Sequence, residues 1–196
     1  MAKLNYNELK VGVIFTKDGD PDPYQVLEYA FIRMQQRKPV TQLKIKNLIS
    51  GKVLNYTAHQ NEDFFETEIE RKTIVFIYRA KDLYWFHEAG NPRNRFSLPD
   101  ELLEDRGQYL KGNTEVQALS FNEKIIGIEL PIKMDFVVTE APPAIKGDTA
   151  QGGTKSVVLE TGAKVNVPLF VNEGDAVRIN TQTGTYVERI EKSKLG

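Results

Sequence analysis

The chain of 196 residues contains no cysteine. That absence removes disulfide frameworks, thiolate nucleophiles and cysteine-ligated zinc, and it suits a reducing compartment. No apolar run approaches the ~20 residues that a membrane-spanning helix needs. The opening Met-Ala-Lys-Leu-Asn-Tyr-Asn lacks the apolar core of a secretory leader, so a cytoplasmic protein with no membrane partner is expected. Histidine is scarce. His59 and His87 are isolated, and neither stands at metal-ligand or triad spacing. Glu101, Glu104 and Asp105 read as solvated groups at a helix end, not as a hydrolytic carboxylate pair. With no nucleophile–base pair and no ligand cluster, the expectation is a non-enzyme that carries no cofactor or metal and works as a monomer.

Excess charge is also missing. Lysine and arginine number 26 against 27 acids, a net charge of −1, which argues against indiscriminate nucleic-acid binding. The average conceals a pattern. Between Tyr29 and Asn61 there is no acid, while Arg33, Arg37, Lys38, Lys44, Lys46 and Lys52 supply six positive charges. A solvated basic face is one reading. The other is a local field that meets phosphates, since steering by opposite charge is local.

What the chain has in quantity is strand-and-turn composition. Fourteen glycines and nine prolines are spread along its whole length, alongside 40% apolar and 27% charged residues. This favours many short strands and an all-β fold class. Three blocks emerge. Residues 1–66 hold candidate strands at Val11 to Phe15, Tyr24 to Ile32, Val40 to Leu48 and Lys52 to Tyr56, with turns at Asp18-Gly-Asp20 and Ser50-Gly51. The long pair flanking Arg33 to Lys38 reads as a hairpin that pushes its tip away from the body. Residues 67–130 hold strands at Thr73 to Tyr78, Leu83 to Phe86 and Ile125 to Leu130. One short helix lies between, with Ser97 as its cap, Pro99 in its first turn and acids at its amino-terminal end. Residues 131–196 begin with a strand from Lys133 to Val138. There Val165, Val167 and Leu169 alternate with polar or turn residues, and Val177 and Ile179 resume the alternation after Gly174-Asp175.

Three local motifs mimic chemistry that the chain does not support. Asp18-Gly-Asp-Pro-Asp22 alternates carboxylates like a calcium loop, but Pro23 stands where glycine is required and Tyr29 where a bidentate glutamate is required. Gly147 to Thr154 mimics a phosphate-binding loop, but Gly153 replaces its lysine and a strand follows, so no helix amino terminus is available. Trp85 between Tyr84 and Phe86 could stack on a base, although a barrel core is its expected home.

The stretch from Lys155 to Arg189, with the run Lys146-Gly-Asp-Thr-Ala-Gln-Gly-Gly-Thr-Lys155 before it, resembles the carboxy-terminal signature of bacterial translation elongation factor P. Weaker similarity continues to the amino terminus. The resemblance implies an SH3-like amino-terminal barrel (1–66) followed by two oligonucleotide-binding-type, or OB-fold, barrels (67–130 and 131–196) in an elongated, tRNA-like arrangement. It implies a factor that binds both ribosomal subunits beside peptidyl-tRNA and relieves stalling at consecutive prolines. Under it, Arg33, Lys38, Lys44, Lys46, Tyr186 and Arg189 are expected to face tRNA or ribosomal RNA. Tyr186 and Arg189 read nearly as well as a packing pair at a barrel edge. Lys146, Gly147, Asp148 and Thr149 are expected to face the small subunit and the exit-site codon of the mRNA. A general single-stranded RNA-binding module on the same barrels is the alternative. The eukaryotic hypusine-containing relative fits poorly, being shorter and lacking the third domain.

The hairpin tip departs from the family pattern. The family's tip is commonly Pro-Gly-Lys-Gly, or a variant with a modified lysine or arginine, and it reaches the peptidyl-transferase centre. Here Met34-Gln35-Gln36-Arg37 stands there, with Gln36 at the lysine position. Gln36 has no amine for lysine-directed modification. Three readings stay open: Gln36 acts through its amide, Arg37 acts through its planar fork, or the tip contact has been lost.

Overall fold

The computed structural model describes residues 2–33, 38–143 and 153–191. The chain forms two compact units, Met1–Arg71 with Leu119–Gly127, and Lys72–Ala118 with Ile128–Gly196. Strands dominate, and they fall into three sheets taken in chain order.

The first sheet contains β1 (Lys3–Leu4), β2 (Ile14–Lys17), β3 (Asp20–Ile32), β4 (Val40–Asn47), β5 (Val53–Ala58) and β6 (Phe64–Glu66) in the order β1-β6-β2-β3-β4-β5. Its core follows from period-two alternation. On β4, Thr41, Leu43, Ile45 and Asn47 are buried while Gln42, Lys44 and Lys46 turn to the other face. Leu43 and Ile45 join Leu9, Phe15, Tyr24, Val26, Ala58 and Phe64 in one cluster. Phe15 meets Phe64 edge-on at 5.5 Å. Each such fully buried side chain contributes about 1.5–3 kcal/mol of burial free energy.

The second sheet contains β7 (Glu70–Ala80), β8 (Leu83–Glu88), β9 (Asn91–Pro99), β10 (Glu115–Phe121) and β11 (Lys124–Glu129) in the order β11-β10-β7-β8-β9. Between β9 and β10 lie a single helical turn, α1 (Asp100–Leu103), and a 3-10 segment, Glu104–Tyr109. The third sheet contains β12 (Lys133–Glu140), β13 (Thr154–Leu159), β14 (Lys164–Pro168), β15 (Ala176–Asn180) and β16 (Thr185–Glu191) in the order β14-β13-β12-β15-β16. Its interior is formed by Phe136, Val138, Val157, Leu159, Val165, Val167, Val177 and Ile179, all at or below 3% exposure. Inside the second unit, Tyr109 packs on Phe136 at 5.9 Å. The Lys111 ammonium donates to the Asp135 carbonyl at 2.8 Å and meets Glu160 at 3.2 Å.

Four expectations need correction. The strand placed at Val11 to Phe15 begins only at Ile14, because Gly12 takes φ +90° and makes a turn that leaves Val11 exposed. Ser97 caps no helix. It pairs with Trp85 inside β9, Pro99 is the residue before α1, and no side chain caps that turn. Strand β9 itself is absent from the sequence reading, since Pro92 and Pro99 near its ends mask it. Proline is tolerated there because β9 is an edge strand. Finally, Trp85 is not core. Tyr84 and Phe86 point inward at 3% and 0% exposure, so alternation sends Trp85 to the outer face.

Candidate nucleic-acid interface

The β3–β4 hairpin is the longest antiparallel pairing in the first sheet. Its register runs from Tyr24 opposite Asn47 to Ile32 opposite Val40, with one irregularity between Val26 and Glu28. Its base is pinned by Asn47. The buried Asn47 side chain donates to Asp22 at 2.8 Å and accepts from the backbone N–H groups of Ile49 and Ser50 at 2.9 and 2.8 Å. The second pair is a local Asx turn that starts the β4–β5 connection, and Gly51 at φ +71° completes it. Beside it, the Asp20 carboxylate is disfavoured by burial. Hydrogen bonds from the Tyr24 hydroxyl, the Asp22 N–H and Lys17 outweigh that and hold its pKa below the usual carboxylate range.

At the far end of the hairpin Arg33 and Lys38 are both exposed, one on each arm. Gln35, Gln36 and Arg37 lie outside the described residues. Lys44 and Lys46 stand further back on the outward face of β4, half-buried. Lys44 does not present a bare charge. Its ammonium pairs with Glu28, directly opposite on β3, at 2.8 Å, and both lie in an open groove with Gln42, Asn55 and Thr57. The acid-free run from Tyr29 to Asn61 therefore overstates the local field, because a carboxylate just outside the run returns through the sheet. Glu28 was missed by sequence reasoning. Its signal, an acid at the position that the hairpin register sets opposite Lys44, becomes visible only once that register is known.

Tyr186 and Arg189 belong to the second unit, on β16. Three residues apart, they should face opposite ways. Instead Tyr186 pairs with Ile179 and Arg189 with Val177, and a register shift accommodates Val187 between them. That bulge turns both side chains toward the side of the sheet that buries Val177 and Ile179. Tyr186 is half-buried in an open groove with Lys164, Asn166, Thr183 and Thr185, and burial raises its pKa, which keeps the hydroxyl protonated and able to donate. Arg189 is engaged internally. Its Nη1 donates to the Phe170 carbonyl at 3.2 Å and to Asp175 Oδ2 at 3.1 Å, and its guanidinium lies 4.9 Å from the Phe170 ring centre. The Asp175 carboxylate is fully buried and also accepts from the Asn172 N–H at 2.9 Å. Lys146, Gly147, Asp148 and Thr149 lie outside the described residues.

Among the described residues no cluster of histidine and carboxylates suits a metal ion, and no helix is long and apolar enough to cross a membrane. The chemistry offered is recognition: exposed cations on a long hairpin, with phenol and amide donors on the other unit.

Residues 5–64 match the family described as Elongation factor P (EF-P) KOW-like domain, and residues 134–189 match Elongation factor P, C-terminal. The curated protein named Elongation factor P from Moorella thermoacetica is 39% identical over 186 residues, covering 95% of this chain and 99% of that relative. The protein of the same name from Natranaerobius thermophilus is 35% identical, covering 96% and 98%. Among solved structures, Eukaryotic translation initiation factor 5A from Methanococcus jannaschii overlaps 66% of this chain and 92% of its own at 15% identity. Its TM-score is 0.47, too low to bear on the comparison. By class, the protein is a translation elongation factor. The chain belongs to the elongation factor P family.

Proposed function

We propose that the chain binds the ribosome beside peptidyl-tRNA and speeds peptide-bond formation where consecutive prolines stall it. Family membership together with the exposed Arg33 and Lys38 at the end of an anchored hairpin supports this reading. The factor does no chemistry itself. It steadies peptidyl-tRNA so that the two reactants meet in productive geometry, and such positioning is worth several kcal/mol of barrier. Three barrels, 1–66, 67–130 and 131–196, divide the work. The hairpin of the first addresses the acceptor end of tRNA. The third brings Tyr186 to nucleic-acid backbone and Lys146, Gly147, Asp148 and Thr149 to the small subunit and exit-site mRNA. At the tip, Gln35, Gln36 and Arg37 face the peptidyl-transferase centre. Either Gln36 makes the contact through amide hydrogen bonds or Arg37 makes it through its guanidinium fork.

Co-sedimentation tests the binding. Ribosomes carrying peptidyl-tRNA should retain the protein in the presence of excess unstructured RNA. Equal competition by that RNA, with a steep salt dependence, would point to a general RNA-binding module instead. The tip is tested by rescue of stalled synthesis: Gln36→Ala combined with Arg37→Ala should abolish it while leaving sedimentation largely intact, and unchanged rescue would refute the tip's role.

A further inference from the structure

The second sheet carries an aromatic pair that no core claims. Tyr78 on β7 and Trp85 on β8 are cross-strand partners, their rings parallel to within 20° with centroids 6.1 Å apart. Tyr78 is 47% exposed and Trp85 half-buried. The register extends the face on both sides. Val75 pairs with His87 and His87 with Arg95, while Trp85 pairs with Ser97, so Val75, Tyr78, Trp85, His87, Arg95 and Ser97 share one surface. Tyr78 reaches that surface because the ladder shifts register between Phe76 and Tyr78, which sets it opposite Trp85. Phe76, Tyr84 and Phe86 fill the opposite, buried face.

We propose that this face is a stacking platform for an unpaired RNA base. Parallel rings leave each ring a face not turned to its partner, and a nucleobase extends such a stack in a way an aliphatic group cannot. Arg95 is exposed. Its Nε donates to the Pro92 carbonyl at 3.3 Å, leaving its Nη groups available to the adjoining phosphate. His87 lies between the rings and Arg95, with Nδ1 at 2.8 Å from the Glu88 carbonyl, which fixes the ring's orientation. Glu88 alternates to the other side of β8 from Trp85 and His87. In a small five-stranded barrel the face of the second and third strands, here β8 and β9, is the usual site for oligonucleotides. An exposed guanidinium beside two aromatic rings suits a ligand that carries both a base and a phosphate, so the occupant is RNA. The site goes beyond the hairpin-centred function and stands whether or not the tip reaches the peptidyl-transferase centre.

Trp85 is the only tryptophan of the chain, so its fluorescence reports on the platform alone. The full-length protein is titrated with a short unstructured adenosine-rich RNA and, in parallel, with the same strand annealed to its complement. The single strand should quench Trp85 saturably and the duplex should not. Tyr78→Ala should weaken binding roughly 5- to 150-fold, the range set by one lost stacking partner, and Tyr78→Phe should restore it. Arg95→Ala should lower the salt slope by about one. Trp85→Phe, followed by anisotropy of labelled RNA, should bind more weakly than wild type, because the smaller ring offers less stacking area. Absence of quenching, equal quenching by duplex, or equal affinity of Tyr78→Ala would overturn the platform. Tyr78→Ala that lowered ribosome affinity without any RNA effect would also overturn it and assign the face to a ribosomal protein. Stall relief measured on the same variants separates the two readings: lost quenching with relief intact rejects only the platform, and retained quenching without relief rejects only the proposed function.

Discussion

Lys44 on the first sheet and Arg189 on the third are both cations that the sequence marks for phosphate, and both meet a carboxylate distant in the chain. Their partners differ. Lys44 and Glu28 are open to solvent, with side chains 44% and 68% exposed. Asp175 is fully buried under a 28% exposed Arg189. An exposed pair is screened and worth little, so Lys44 can exchange Glu28 for a phosphate at almost no cost. A buried carboxylate that loses its cation is left uncompensated, so Arg189 is held to its fold. The partner's burial, more than the cation's own exposure, decides which positive charge is free to leave its pair.

Of the two carboxylates, Asp175 carries the larger expected effect. Asp175→Ala should lower stability by about 2–4 kcal/mol, less than a wholly buried pair because Arg189 is partly solvated, and urea unfolding reads it. Asn47→Ala should cost about 1–3 kcal/mol by leaving the Ile49 and Ser50 N–H groups and Asp22 without their partner, and it should also loosen the hairpin that carries Arg33 and Lys38. Glu28→Gln should change stability by no more than about 0.5 kcal/mol yet tighten ribosome binding at low salt, because Lys44 loses its competitor. A smaller effect is expected with pH. Hydrogen bonds from Arg178 hold the Asp135 pKa below the usual range, so this group's stabilisation is complete above its unfolded value and is lost as pH falls through the lowered one. Asp135→Asn should therefore narrow the gap between melting temperatures at neutral and strongly acid pH, and an unchanged gap would remove that pair from the balance.

Much of the fold was legible because alternation is a local signal. Leu43 and Ile45 against Lys44 and Lys46, or Val165 and Val167 against Lys164 and Asn166, declare their faces without knowledge of any partner. What failed was non-local or broke the period. Strand β9 hid behind its terminal prolines, and its edge position exists only in the assembled sheet. The bulge that brings Tyr186 and Arg189 to one face cannot be read from a spacing of three. Trp85 between two aromatics reads as core, although the same alternation that buries Tyr84 and Phe86 turns it outward. For the site, the residues were legible and their availability was not. Nothing near Lys44 in the chain announces Glu28, and nothing near Arg189 announces that Asp175 is fully buried.

The most direct measurement is the rate of synthesis through consecutive prolines in a reconstituted translation system, with and without unmodified recombinant protein. Faster synthesis is expected on that message and no change on a proline-free control, with a glutamine-bearing tip sufficient for the effect. Equal rates with and without a protein that still sediments with the ribosome would contradict the proposed function.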